Sequence, residues 1–138
     1  MTGEEMRDAV LRAVAVIGLA GVALIHVLDA HDTFASTPYL GWLYVGLITG
    51  SLASAAWLLR GSDSRAWAAA VLLSTGAIVG FVCSRTVGLP GSTDDIGNWW
   101  EPLGLASLFV EGAVATLCTV VLLGRTAVRP ARFELSSP

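Results

Sequence analysis

The chain has 138 residues, a net charge of −3, 54% apolar residues and only 14% charged ones. Its mean hydropathy is +0.70, and all eight basic residues are arginine. An ordinary soluble domain carries about 25% charge, so a free soluble monomer and a disordered chain are both excluded. The absence of a basic cluster removes the electrostatic footprint of a nucleic-acid partner, which leaves the lipid bilayer as the expected surrounding.

A hydrocarbon core about 30 Å thick takes about 20 apolar residues per helix. Four segments meet that length: residues 10–28, 39–59, 66–84 and 103–124. Runs this long are twice what a barrel strand needs. The expected fold is therefore all-α, a polytopic four-transmembrane-helix bundle over residues 1–124. The polar, proline-containing tail, residues 125–138, is expected to be loosely ordered. The leader sets Glu4, Glu5 and Asp8 against Arg7 and Arg12, so it lacks the positive start of a cleaved signal peptide.

Arginine placement sets the expected orientation. If the helices alternate, Arg7, Arg12, Arg60, Arg65, Arg125, Arg129 and Arg132 fall on one side and Arg85 alone on the other. The positive-inside rule then puts both termini in the cytoplasm of a bacterial cytoplasmic membrane. Asp29, Asp32, Asp94, Asp95 and Glu101 gather outside. Phe34, Tyr39, Trp42, Trp99 and Trp100 mark the outer interface, and Trp57 and Trp67 the inner one.

The first span carries His26 near its outer end, with Asp29 at i+3 on the same face. His31 and Asp32 follow in what reads as an outer loop. A carboxylate so placed fixes a histidine tautomer or shares a metal with it. The turn Gly61–Ser64 is tight and makes the second and third helices antiparallel neighbours.

Gly46, Gly50 and Ser54 on the second helix, and Gly76, Gly80 and Ser84 on the third, recur at four-residue spacing. Such stripes let helices approach closely in lipid. They face each other, or they form the seam of a homodimer or of a larger membrane complex. Cys83 and Cys118 differ in depth by about 20 Å, beyond disulfide reach.

The outer loop, residues 85–102, is long for so small a bundle. Gly88, Pro90 and Gly91 supply a sharp turn, and Pro102 suits a helix start. Arg85 is expected to pair with Asp29, Glu101 or Asp94, with Asp94 the assigned partner. Capture of an anion by Arg85 is the alternative.

Glu111 stands about eight residues inside the fourth helix, with Ser107 one turn outward on the same face. A carboxyl in hydrocarbon costs about 2.5–3.5 kcal/mol on insertion scales, so it faces the bundle interior or a wet cavity. Two readings are open: a proton or cation site, or a protonated acid tying two helices together. If the first and fourth helices touch, His26 and Glu111 lie within one turn of depth.

His26, Asp29, Glu101 and Glu111 form the candidate metal set. Their donors suit Zn, Mn, Fe or Cu(II) better than Cu(I). Haem, with His26 as one axial ligand, is the weaker cofactor reading. No nucleophile elbow, phosphate-cradling loop or Cys–His pair indicates catalysis.

The stretch Ser84-Arg85-Thr86-Val87-Gly88-Leu89-Pro90, with a first-helix histidine and the segment His31–Phe34, resembles a set of small bacterial four-helix membrane proteins of unassigned function. They share an SRTxGLP loop after the third span and an acidic residue at or inside the fourth. The resemblance implies the architecture and marks Arg85, but supplies no chemistry. The expected function is a non-enzymatic membrane protein with an outward-facing His/carboxylate site that binds a cation or proton, in transport or sensing. The alternative is a structural or assembly subunit of a larger membrane complex, and a membrane enzyme is the third class.

Overall fold

A computed structural model describes residues 1–134, with side chains through residue 126. The described chain holds four α-helices: α1 (Gly3–Ser36), α2 (Pro38–Arg60), α3 (Ser64–Thr86) and α4 (Pro102–Glu134). Each is long and apolar enough to cross a membrane. The tail expected from residue 125 starts on α4. Residues 135–138, and the side chains of Arg129 and Arg132, lie outside what is described.

Helix α1 is longer than the apolar run inside it because nothing breaks it. At its start Thr2 Oγ1 accepts from the Glu5 N–H (3.2 Å) and Glu5 Oε2 accepts from the Thr2 N–H (2.7 Å). This reciprocal cap satisfies two of the first orphan donors. The helix ends only where Thr37 precedes Pro38, which removes a backbone donor and opens α2. Its 34 residues span about 51 Å, well beyond a hydrocarbon core. His31 and Asp32, expected in a loop, therefore sit on the last turns of α1.

The helices form a ring in which α1 packs on α2 and α4, and α3 packs on the same two; α2 and α3 make the sparsest contact of these pairs. The end holding both helix-bundle termini and the 61–63 turn is the termini end, and the other is the loop end. Toward the termini end the interior is an apolar plug in which Leu19, Leu58, Trp67 and Cys118 are fully buried with Val114 beside them. Around it Leu24, Leu72, Phe109 and Leu123 are among many large apolar side chains facing outward, an arrangement that lipid tolerates and water does not.

Of the expected stripe glycines only Gly50 makes a close approach, and the contacts between α1 and α4 fall at other glycines. A Cβ at Gly18 would lie 2.5 Å from Val114 Cγ2, and one at Gly21 would lie 3.2 Å from Val110 Cγ1, so these two positions let α1 meet α4. By contrast, nothing lies within 4 Å of a Cβ at Gly46, Gly76 or Gly80, while Gly50 meets Leu73 at 3.0 Å. The α2 and α3 stripes thus do not interlock toward the loop end. Four-residue spacing marks a flat face, and does not say what fills it.

A polar clasp closes the termini end. Arg125 Nη1 donates to Ser62 O (2.6 Å), and its Nη2 reaches Asp8 Oδ1 (3.2 Å) and Ser62 Oγ. Arg12 bridges to Asp8 (3.1 Å) and donates to Leu58 O (3.2 Å). Trp67, expected at the membrane interface, is instead buried under this clasp. Its Nε1–H donates to Ser62 Oγ (3.2 Å) and the Arg125 guanidinium stacks 5.6 Å above its ring.

Candidate functional site

The contact between α1 and α4 brings together two of the four candidate ligands. His26 is 7% exposed and Glu111 is fully buried, with His26 Nε2 3.7 Å from Glu111 Oε1. That separation is outside hydrogen-bond range. His26 Nδ1 lies 2.9 Å from the Val22 carbonyl oxygen. A carbonyl only accepts, so Nδ1 carries the proton and Nε2 is left facing the carboxyl.

Glu111 Oε1 accepts from Ser107 Oγ (2.7 Å), one turn away on α4. Glu111 Oε2 is buried without a hydrogen-bond partner among the described residues. With Nδ1 committed, the neutral arrangement of the pair contains one mobile proton. It resides on Glu111 beside a neutral imidazole, or on Nε2 opposite a carboxylate. Removal of that proton leaves one uncompensated negative charge in the interior, which a cation is needed to balance.

Asp29 does not join this pair. Its Oδ2 accepts from Tyr44 Oη (3.0 Å) and Thr33 Oγ1 (3.2 Å). Tyr44 in turn stands edge-on to His26, with ring centroids 4.7 Å apart, so Asp29 and His26 are linked through a phenol ring. Sequence reasoning passed over Tyr44. A signal was present: Tyr44 follows Trp42 by two positions, or about 200° on a helix, which turns Tyr44 inward when Trp42 faces lipid. His31 pairs with its neighbour Asp32 at the surface (3.1 Å) and takes no part.

Glu101 has a different role again. Its Oε1 accepts from the Leu103 N–H (2.9 Å) and its Oε2 from the Gly104 N–H (2.6 Å), capping α4 at the end where orphan donors need an acceptor. The same Oε2 lies 3.6 Å from Arg85 Nη2. His26, Asp29, Glu101 and Glu111 therefore do not converge. No group of three His, Cys, Asp or Glu side chains among the described residues is placed to hold a metal ion. The nitrogen of His26 that a haem iron needs is the one turned toward Glu111.

Arg85 is buried in the last turn of α3 and binds Asp95, at 2.7 Å, rather than the expected Asp94. The loop's own turns decide between these neighbours. Gly88 (φ +78°) ends α3 with its N–H on Cys83 O. Pro90 and Gly91 (φ +71°) make a two-residue turn closed by Leu89 and Ser92, and the Gly97 N–H donates to Arg85 O (2.9 Å). Phe81 stacks under the guanidinium at 4.8 Å. A Cβ at Gly104 would lie 2.5 Å from the Phe81 ring and 2.7 Å from Glu101 Oε2, so the glycine lets these side chains close over the start of α4. Tyr39 Oη ties the turn to α2 by donating to Pro90 O (2.8 Å).

Above the pair lies a cavity of about 840 Å3 at the loop end. His26 and Ser107 line it together with Asp29 and Tyr44 and with Arg85, Asp95 and Glu101. Gly46, Gly76 and Gly80 line its flank between α2 and α3. No protein-family model, curated protein or solved structure matches the chain.

Proposed function

We propose that this chain is a small multi-pass protein of a bacterial cytoplasmic membrane, with both termini in the cytoplasm. Its outward-facing cavity gives access to a proton-exchanging His26–Glu111 pair that serves transport or sensing. The observation that carries the reading is the geometry of the pair. Nδ1 is spent on Val22 O, Nε2 faces Glu111 Oε1 at 3.7 Å, and Glu111 Oε2 has no hydrogen-bond partner among the described residues. Most buried carboxyl oxygens that tie helices together are hydrogen-bonded to their neighbours. Glu111 reserves an oxygen and stands behind a histidine that lines the cavity. The arginine distribution supports the orientation.

Infrared difference spectroscopy of the reconstituted protein tests the reading. A carbonyl band of a protonated carboxylic acid is expected to appear and vanish as external pH is varied. It should be lost in Glu111→Gln and displaced in His26→Gln, while Glu101→Gln retains it. A titrating band that persists in Glu111→Gln, or the absence of any titrating band, overturns it.

A further inference from the structure

The cavity has two unlike openings. At the loop end its rim is acidic. Asp29, Asp32, Asp95 and Glu101 line it against the single cation Arg85, and Arg85 is already held by Asp95 and Glu101. Asp29 has no cationic partner among the described residues and accepts only from Tyr44 and Thr33. A positive ligand is thus favoured by charge, and the rings of Tyr39, Trp42 and Tyr44 on the same lining add faces that attract cations.

The second opening is lateral and apolar. Trp42, Leu43, Gly46, Leu72 and Gly76 line the cavity and are themselves exposed on the outer surface of α2 and α3, the pair of neighbours that pack least closely. Cβ atoms at Gly46, Gly76 and Gly80 would meet nothing within 4 Å. The slot shuts below them where Leu73 fills the space in front of Gly50. A slot of this form joins the acidic interior to the hydrocarbon of a surrounding bilayer, and about 840 Å3 is the size of a site for a drug-sized molecule.

We propose that the cavity binds a lipophilic, monovalent organic cation, which enters sideways between α2 and α3 and places its charge beside Asp29 and Tyr44. The proposal deepens the reading of an outward-facing cation and proton site by naming the class of ligand. It rests on that reading only for the membrane setting. It does not require that the bound cation displace the proton of the His26–Glu111 pair.

The test is equilibrium binding of radiolabelled tetraphenylphosphonium to the full chain in lipid nanodiscs, with tetraphenylborate as an isosteric anion. Saturable binding of about one phosphonium per chain is expected, with the borate at least tenfold weaker. Asp29→Asn is expected to weaken phosphonium binding at least tenfold. Gly76→Leu and Gly80→Leu, which fill the slot without meeting a neighbour at Cβ, should abolish it while leaving thermal unfolding and the Glu111 infrared band unchanged.

Equal affinity for the borate overturns the proposal in favour of a slot for lipid chains. Wild-type binding in both leucine variants overturns the placement of the cation in the slot between α2 and α3. A nanodisc population holding two chains, with no phosphonium bound, assigns the slot to a second copy. In each of these cases an intact infrared titration leaves the proton-exchanging pair standing, and loss of that titration with binding retained overturns the pair alone.

Discussion

Gly18→Ala is the most informative single change in the bundle, because one methyl group there is set against the contact that creates the site. The added Cβ falls 2.5 Å from Val114 Cγ2, about 1 Å inside an optimal carbon–carbon contact of ~3.5 Å. Val114 is 2% exposed and part of the central plug. Its β-branched side chain has one strongly preferred rotamer on a helix, so it cannot swing aside. The strain must be relieved by parting α1 from α4.

Overpacking of this kind costs about 1–3 kcal/mol. The displacement is carried along a stiff helix to His26, about 12 Å away. Unfolding in mixed micelles is expected to show that loss for Gly18→Ala. Val114→Ala is expected to lose stability by creating a cavity. The double variant should be more stable than the two losses summed, with a coupling of about 1 kcal/mol or more. Additive losses, or a neutral Gly18→Ala, would show that α1 and α4 do not meet through this contact.

Other outcomes follow from the same geometry. Arg85→Ala strips Asp95 and Glu101 of their shared cation and is expected to cost about 1–3 kcal/mol, with limited proteolysis newly cutting within residues 87–101. Arg85→Lys, a point charge in place of a two-pronged fork, should fall between. Asp63→Ala removes the side-chain acceptor of the Arg65 N–H at the start of α3 (2.9 Å). It should cost about 1 kcal/mol in unfolding experiments, with Asp63→Asn close to wild type. Orientation is checked on a background with Cys83 and Cys118 replaced by serine. A membrane-impermeant thiol reagent applied to intact cells is expected to label Gly91→Cys and to leave Ser64→Cys unlabelled, and the reverse pattern would invert the assigned topology.

Much of this architecture was legible in the residues. The helix number and approximate spans followed from apolar run length, and the depth match of His26 and Glu111 from counting inward at a constant rise. What could not be read was azimuth. Asp29 shares a helix face with His26, yet Tyr44 and Thr33 claim its carboxylate, because a contact across helices depends on how α2 is rotated. The pairing of Arg85 with Asp95 instead of Asp94 depends on how the loop turns back on α3, as in the Gly97 N–H on Arg85 O, which no spacing rule anticipates. Trp67 looked like an interface aromatic by position. Only the convergence of Asp8, Ser62 and Arg125, far apart in sequence, explains why it is buried. Gly18 and Gly21 were passed over because they lack the four-residue spacing that marked the other glycines.

The division of the bundle into a cavity and a plug also shapes the electric field. In a membrane, a cavity filled by electrolyte is nearly equipotential with the solution at its mouth. The voltage then falls across the Leu19, Leu58 and Trp67 layer instead of across the full thickness. Moving one charge through the whole potential is worth about 2.3 kcal/mol per 100 mV, but a charge reaching His26 from the loop end crosses only a small share of it. Occupancy of the pair from that side should therefore depend weakly on voltage.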